Sequence, residues 1–261
     1  MTEVRITHIG GPTVLLEFGG WRLLNDPTFD PPGERWNFGW GALSQKLTGP
    51  AVASGALGHI DAVLLSHDQH GDNLDHAGRA LLPEADTVVT TAPGARRLGG
   101  NAVGLTPWET TTLTAPDRMP VTITATPARH GPPGSLPIVG TVVGFLLHWD
   151  GQQHGALWIS GDTVLFEGTR ELARRGDVGT AVVHLGGVRF PITGPLRYTM
   201  TAEEAVQACE LLKPHTVVPV HYEGWKHFRQ PREKARGVFD SSPIASSVTW
   251  LQHGSPTTID I

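Results

Sequence analysis

The sequence predicts a layered α/β fold, because short strand-like runs alternate with helical segments along the whole chain. Residues 61–65 and 216–220 are short apolar runs, bounded by turn residues, that read as buried strands. Thr201 and Glu204 form a capping box, which predicts a helix from there to Lys213. The 32 glycines and 21 prolines are spread along the sequence, which indicates many strands and tight turns rather than one long linker.

The other strands and helices are predicted in the same way, from the spacing of apolar residues and from the glycines and prolines that separate the segments. Gly-Gly pairs at residues 10–11 and 19–20 separate the first strands, and Pro83 and Pro214 end two helices. Strands are predicted at residues 4–6, 13–18, 21–24, 61–65, 87–90, within 103–113, and at 121–126, 142–149, 156–160, 181–184, 216–220, 248–251 and 257–259. Helices are predicted at residues 74–82, 93–98, 166–175, 201–213 and 232–239.

Composition limits the classes of function. At 261 residues, 39% of them hydrophobic and 17% charged, the sequence is that of a globular protein, and we predict a single domain over residues 1–261. The net charge of −5 without a basic block argues against nucleic acid as a partner, because phosphate binding requires clustered Lys and Arg. No apolar run is long enough for a membrane span, so a cytoplasmic protein is expected, and nothing in the sequence indicates its oligomeric state. The single cysteine, Cys209, excludes an internal disulfide and a cysteine-based zinc cluster.

A polar stretch follows the predicted strand at residues 61–65. Residues 66–75 read Ser-His-Asp-Gln-His-Gly-Asp-Asn-Leu-Asp, which places two histidines and several carboxylates where a rigid strand ends. Imidazole nitrogens and carboxylate oxygens suit zinc, iron and manganese. The competing interpretation is an ordinary polar loop.

The same pattern recurs at other strand ends. A histidine or aspartate follows or ends several further predicted strands: His130, Asp162, His184 and His221. One such histidine is usually structural, but the same ends of several strands in a layered α/β fold converge on one edge, where ligands bind. The set as a whole therefore predicts a metal site.

These motifs, taken in order, resemble the metallo-β-lactamase superfamily. They are Thr-His-Ile-Gly-Gly-Pro-Thr from Thr7, Asn-Asp-Pro with Asp26, the Ser-His-x-x-His-x-Asp of residues 66–72, the lone His130, Ser-Gly-Asp-Thr with Asp162, and Pro-Val-His ending at His221. The branch that looks most similar contains sugar-phosphate lactonases and N-acyl-phosphatidylethanolamine phospholipase D. The resemblance covers nearly the whole chain and implies a four-layer αββα sandwich, in which two mixed sheets pack face to face with helices outside.

The sequence departs from the signature of that superfamily, His-x-His-x-Asp-His. Read without a gap, Gln69 takes the place of the second histidine. With one inserted residue, His67, His70, Asp72 and Asn73 take the four places, and only the last residue differs. We prefer the second alignment, because it keeps three ligand types in their roles.

The resemblance implies one or two divalent ions, with zinc expected and manganese or iron as alternatives. The ligands would be His67, His70 and His130 for the first ion, Asp162 as a bridge, and Asp72 and His221 for the second ion. Asn73 is a poor zinc ligand, so the second ion should bind more weakly or prefer oxygen.

The resulting hypothesis is a metal-dependent hydrolase of a small-molecule ester, lactone or phosphodiester. A metal-activated water would attack the substrate, and Asp72 or Asp162 would act as the catalytic residue that accepts or orients its proton. The alternative is a metal-binding or ligand-sensing module with little or no turnover, which the altered signature motivates.

Further residues are candidates for supporting a ligand or for touching the substrate: His8, Asp26, Asn73, His184, Trp36, Trp40 and Tyr222. For His8 and His184 a purely structural role is the competing interpretation. Trp36 and Trp40 lie with Phe38 in an aromatic loop at residues 31–40. Either all three rings pack on the sandwich, or at least one of them, with Trp36 or Trp40 expected, walls an apolar part of the substrate.

Overall fold

The computed structural model describes residues 3–39 and 41–261 of the protein. Its strands are β1 (Glu3–Gly10), β2 (Thr13–Phe18), β3 (Trp21–Asn25), β4 (Arg35–Asn37), β5 (Leu43–Gln45), β6 (Ala62–Leu64), β7 (Thr87–Thr91), β8 (Ala102–Leu105), β9 (Thr110–Leu113), β10 (Val121–Pro127), β11 (Val143–His148), β12 (Ala156–Ile159), β13 (Val178–His184), β14 (Thr216–Val220) and β15 (Pro256–Asp260). Its α-helices are α1 (His76–Leu81), α2 (Ala92–Leu98), α3 (Leu136–Val139), α4 (Glu167–Arg175), α5 (Ala202–Leu212) and α6 (Arg232–Asp240). None of these helices has the length and hydropathy that a membrane span would need.

Most strands belong to two mixed sheets. The first has the spatial order β15-β1-β2-β3-β6-β7-β8, antiparallel from β15 to β3 and parallel from β3 to β8. The second has the order β14-β13-β12-β11-β10-β9, parallel from β14 to β12 and antiparallel from there to β9. Each sheet thus joins a hairpin-connected half to a half with longer crossovers.

The main core lies between the two sheets. Leu16 and Leu23 contribute to it from the first sheet, and Phe145 and Leu157 from the second, all of them fully buried. Because side chains alternate along a strand, the sequence neighbours of these residues point away from this core.

The outward-pointing residues are covered by helices. Val63 on the first sheet packs in one cluster with Leu81 of α1, and Val183 on the second sheet packs in another with Ala205 and Cys209 of α5. The capping box predicted for α5 is present, since Thr201 and Glu204 exchange side-chain and backbone hydrogen bonds. Helices therefore flank two packed sheets, and the predicted four-layer αββα fold is confirmed.

The strand predicted at residues 248–251 does not form. Val248 makes an isolated parallel bridge to Val217, with Thr249 N–H donating to the Val217 carbonyl at 2.8 Å. The next bond of a parallel ladder would require an amide hydrogen from residue 219, which is proline and has none. The ladder therefore stops after one pair.

The aromatic loop predicted at residues 31–40 contains a strand. β4 pairs with β5 in a small antiparallel sheet, which makes this segment a hairpin. Lys46, just after β5, anchors its base, because its buried ammonium lies 2.7 Å from the carboxylate of Asp75. The same carboxylate caps α1 by accepting the Gly78 N–H at 2.8 Å.

We predict that Cys209 is chemically inert in the folded protein. The residue is fully buried on α5, and burial raises the pKa of its thiol to about 12, so almost none of it is thiolate at pH 8. An aromatic disulfide reagent at pH 8 should release no chromophore from the native protein and one equivalent after unfolding in urea. Fast stoichiometric release from the native protein would show that Cys209 is a reactive thiol.

Candidate metal centre

The predicted site residues meet at one edge of the two sheets. Each follows or ends a strand: His67 after β6, His130 after β10, Asp162 after β12, His184 at the end of β13 and His221 after β14. Their side chains are buried or nearly so. Strand ends place them rigidly, which is what a metal site requires.

Three imidazole rings form the first group of candidate ligands. His70 Nδ1 lies 3.0 Å from His67 Nε2 and 3.1 Å from His130 Nε2. The Nδ1–H of His130 donates to the carbonyl of Tyr198 at 2.7 Å, a tautomer assigned from that acceptor, so its Nε2 presents a lone pair.

Two histidines of this group, His67 and His70, are held neutral. Burial, with the neighbouring imidazoles adding to it, lowers the pKa of His67 well below its usual value and that of His70 to about 4. Neutral imidazole is the form that binds a metal. The three nitrogens are therefore preorganised for one cation.

Two carboxylates and two histidines form the second group. Asp162 Oδ1 lies 3.1 Å from His184 Nδ1 and 3.5 Å from His221 Nδ1. Asp72 Oδ2 lies 3.7 Å from His221 Nε2. Burial alone would lower the pKa of His221, but the charges of Asp162 and Asp72 raise it to about 9. The two carboxylates thus create a strong local demand for positive charge.

Several polar atoms of the centre have no hydrogen-bond partner among the described residues. These buried atoms are Asp72 Oδ1, Asn73 Oδ1, Asp162 Oδ2 and His221 Nε2. A buried polar atom without a partner costs roughly 1–3 kcal/mol, so four in one place need an explanation. Divalent cations would satisfy them, and the donor set of imidazole and carboxylate fits zinc, manganese or iron.

A hydrogen-bonded chain supports the first group from behind. Asp26 accepts the Ser66 N–H at 2.7 Å and the Asn73 side-chain amide at 3.2 Å. The Ser66 hydroxyl in turn lies 2.9 Å from His67 Nδ1. Burial raises the pKa of Asp26 to about 7. Asp26 and Asn73 therefore orient His67, and the amide nitrogen of Asn73 is committed to that chain.

The structure brings His70, and not Gln69, to the other histidines. The Gln69 side chain packs over Gly140, where an added Cβ would come within 2.2 Å of its Nε2. Asp68 also points away, since its carboxylate forms an ion pair with Arg97. This is the arrangement expected from the alignment with one inserted residue.

Two other candidates lie outside the centre. The Nε2–H of His8 donates to the Gly11 carbonyl at 2.9 Å, and its ring packs on His253 and Tyr222. Tyr222 is buried among the residues that cover the outer face of the second sheet. Among the described residues, neither side chain forms a hydrogen bond or a ring contact with a candidate ligand.

A cavity of about 530 Å³ opens onto the centre. His70, Asp72 and His130 form its floor, and the remaining wall is mostly apolar. The described residues of that wall are Phe38, Gly39, Ala42, Ile138, Val139, Val188, Phe190, Ile192, Thr193, Leu196 and Tyr198. Lysine and arginine are absent from this described lining.

The aromatic wall of the cavity includes a different residue from those predicted. Phe38 lines the cavity, whereas Trp36 stacks on His76 at 4.5 Å and covers Gly71, where a Cβ would lie 2.3 Å from the ring. Trp36 is therefore a packing residue, because its strand β4 turns it away from the opening. Trp40 lies outside the described residues.

His227 is a further residue of the centre. It is 2% exposed, its Nε2–H donates to Asp72 Oδ2 at 2.8 Å, and its Nδ1 lies 2.5 Å from the Ser44 hydroxyl. From the sequence it is only one of the aromatic residues just past His221 that could line a substrate cleft or simply pack, because it ends no strand and only the fold of the loop after β14 returns it to Asp72. A histidine six residues beyond His221 was the sole local signal.

We predict that His70→Ala costs far more metal affinity than Gln69→Ala. His70 faces both other histidines, whereas Gln69 packs outside the group, so only the first change removes a candidate ligand. The loss for His70→Ala should exceed about a hundredfold, since even outer partners of a ligand are typically worth ten- to a hundredfold. Elemental analysis after dialysis against a chelator would measure it, with His67→Ala as the matched ligand variant. Equal losses of metal affinity in His70→Ala and Gln69→Ala would contradict this placement.

Comparison with known proteins places the chain in a family. Residues 22–222 match the family described as the beta-lactamase superfamily domain. A UPF0173 metal-dependent hydrolase from Pelotomaculum thermopropionicum is 28% identical over 253 residues, which cover 93% of this chain and 94% of the relative. Another, from Pyrococcus abyssi, is 29% identical over 189 residues, covering 71% of this chain and 77% of the relative.

Solved structures share the fold. An isothiocyanate hydrolase from Delia radicum gut bacteria superposes with a TM-score of 0.81 at 21% identity, covering 98% of this chain and 99% of that one. A possible metal-dependent hydrolase from Veillonella parvula gives a TM-score of 0.81 at 17% identity with the same coverage. The narrower resemblance to sugar-phosphate lactonases and phospholipase D stays a prediction. Because the family match spans most of the sequence, the chain belongs to the β-lactamase superfamily.

Proposed function

We propose that this protein is a metal-dependent hydrolase of small, uncharged and largely apolar esters or lactones. The observation that carries the proposal is the apolar cavity whose floor is formed by His70, Asp72 and His130. A pocket with mostly apolar walls and a few converging polar groups is the usual form of a small-molecule site. The relatives that match most of the chain are named metal-dependent hydrolases, which supports the reaction class.

The candidate ligands divide into two sets in this proposal. His67, His70 and His130 would hold one divalent ion, and Asp72 and His221 would hold a second. Asp162, whose Oδ2 has no hydrogen-bond partner among the described residues, would serve both ions. When bound, such ions activate water and polarise the oxygen of the target bond.

Asp72 has the best position to act on the attacking water. It lines the cavity, and although burial opposes this, the hydrogen bond from His227 and the nearby imidazole of His221 hold the pKa of its carboxyl well below the usual value. An ionised carboxylate at this place accepts a hydrogen bond from water and directs the oxygen toward the substrate. Asp162, which no cavity contact brings to the substrate, serves the metal centre instead.

The cavity favours esters and lactones over phosphodiesters. A phosphodiester carries a negative charge, and moving that charge into an apolar cavity is costly unless a cation or several donors meet it. The described lining offers neither lysine nor arginine, so the proposed ions alone would have to meet that charge. A neutral carbonyl compound needs no such partner beyond the metal centre.

Isothiocyanates are a second class of candidate substrate. The isothiocyanate hydrolase with the same fold acts, by its name, on such compounds. They are small and uncharged and have an electrophilic carbon, so they suit an apolar cavity of about 530 Å³ as well as esters do.

We predict turnover that depends fully on bound metal. Purified protein should hydrolyse short-chain aromatic esters, lactones or benzyl isothiocyanate faster than an aromatic phosphodiester. Exhaustive chelation should abolish the activity, and zinc, manganese or iron should restore it. Activity that survives complete metal removal would refute the proposal. Bound metal without turnover on the whole panel would favour a binding or sensing module.

We also predict that Phe38 shapes substrate affinity. Burying one aromatic ring against a substrate is worth about 1.5–3 kcal/mol, so Phe38→Ala should raise KM for an apolar ester roughly ten- to a hundredfold. Trp36→Ala is the matched control, because its ring packs on Gly71 and His76 and should affect Tm more than KM. Metal content should be unchanged in Phe38→Ala. An unaltered KM together with a large fall in Tm would show that Phe38 is only a packing residue.

A further inference from the structure

The second ion of the proposed centre lacks one histidine of the superfamily signature. Asn73 stands at that place, and its side-chain amide donates to Asp26 and Ser66 rather than offering an imidazole nitrogen. Asp72, the neighbouring carboxylate, is therefore more important for holding the second ion than its counterpart would be in a complete signature.

Asp72 is held by a hydrogen-bonded chain from another part of the protein. A carboxylate accepts only, so the 2.8 Å contact with His227 Nε2 assigns the imidazole hydrogen to that nitrogen. The Nδ1 of the same ring then has a free lone pair, and the Ser44 hydroxyl, 2.5 Å away, donates to it. Ser44 thereby fixes the tautomer in which His227 donates to Asp72.

Aromatic packing fixes the orientation of the His227 ring. Phe190 stacks on it at 4.9 Å with 17° between the planes, and Phe38 lies at 4.8 Å on a tilted contact. Trp225 approaches the ring at 5.7 Å. A ring held on several sides cannot rotate away from Asp72 without disturbing the cavity wall.

The hydrogen bond leaves the two oxygens of Asp72 in different states. Oδ2 is engaged by His227, whereas Oδ1 is buried without a hydrogen-bond partner among the described residues. Both nitrogens of His227 have partners, so the ring is not itself one of the atoms that lack them. His227 is therefore better placed to orient the candidate ligand Asp72 than to bind a metal ion itself.

We propose that His227 is a positioning residue for the second metal ion, which it serves by holding Asp72 with Oδ1 free to bind. His227 comes from the loop after β14, far along the chain from Asp72. It strengthens the second ion site, from which the last histidine of the signature is missing. The inference rests on the proposed function, because it requires an ion at Asp72 and His221.

Zinc titration of the metal-free protein, with a competing chromophoric chelator, tests the inference. His227→Ala should weaken the second zinc ion about ten- to a hundredfold, as expected for a partner of a ligand, and leave the first ion unchanged. His227→Gln retains an N–H donor near the position of Nε2 and should bind the second ion within about threefold of wild type. Ser44→Ala removes the hydroxyl that fixes the tautomer of His227 but keeps the ring. Its affinity for the second ion should lie between those of His227→Ala and His227→Gln.

Two controls separate the possible causes. Phe190→Leu loosens the packing of His227 but keeps both of its hydrogen bonds, so its affinity for the second zinc ion should stay closer to that of wild type than to that of His227→Ala. His221→Ala shows the effect of losing a candidate ligand of the same ion. Far-ultraviolet circular dichroism and Tm confirm that each variant is folded, and the Gln variant carries the test where the Ala variant does not fold.

The outcomes are distinguishable. Wild-type affinity in His227→Ala would refute the inference, since Asp72 would not depend on the ring. Loss in His227→Gln as severe as in His221→Ala would also refute it, because the imidazole would then be a ligand. A wild-type protein that takes up only one zinc ion would refute the two-ion centre of the proposed function, and the positioning role with it.

Discussion

The rest of the structure depends on one constraint, which is that the candidate ligand atoms at the shared edge of the two sheets converge where water barely reaches them. His67, His70 and His130 turn three ring nitrogens toward one another, at 3.0 and 3.1 Å, in a place that water barely reaches. Each ring turns one nitrogen inward, and an imidazole nitrogen offers either a hydrogen or a lone pair, so three nitrogens in such a triangle cannot all be paired with one another. Two neighbouring carboxylates add negative charge. Cations relieve both problems together, so metal binding and stability of this edge should be coupled.

Two residues with a strained backbone lie at the same edge. Asp26 and His221 have φ values of 37° and 58°, in the left-handed region that costs a residue other than glycine roughly 1–3 kcal/mol. Each is restrained by its surroundings: Asp26 accepts the Ser66 N–H, and the N–H of His221 donates to the Gly11 carbonyl at 2.8 Å. The chain thus leaves β3 and β14 abruptly, which turns both side chains into the centre.

Local signals in the sequence predicted the individual elements and the layered α/β class, the family resemblance implied the αββα sandwich, and the ends of strands indicated most residues of the candidate site. Strand period, turn residues and the capping box at Thr201 are properties of neighbouring residues, and a histidine that ends a strand inherits the position of that strand. His227 has no such signal, because it ends no strand and the loop that brings it back to Asp72 has no periodic pattern of residues. Phe38 was missed for a similar reason: only the pairing of β4 with β5 decides which ring of the hairpin faces the cavity.

The hairpin links substrate binding to the metal centre. Its base is fixed, because Lys46 and Asp75 form a buried ion pair, and breaking such a pair leaves an uncompensated charge worth about 3–5 kcal/mol. From this base the hairpin presents Phe38 to the cavity and Ser44 to His227, and the two contacts lie on opposite sides of one turn. Gly39 and Gly41 of the turn adopt positive φ values of 90° and 77°, a conformation that other residues rarely take, so these two positions tolerate substitution poorly. Substitutions of Phe38 or Ala42, which line the cavity, reshape it directly, whereas substitutions at Ser44 reach the carboxylate of Asp72 through one histidine. A change in substrate range is thus easiest to obtain at Phe38 and Ala42, which hold no candidate ligand by a hydrogen bond.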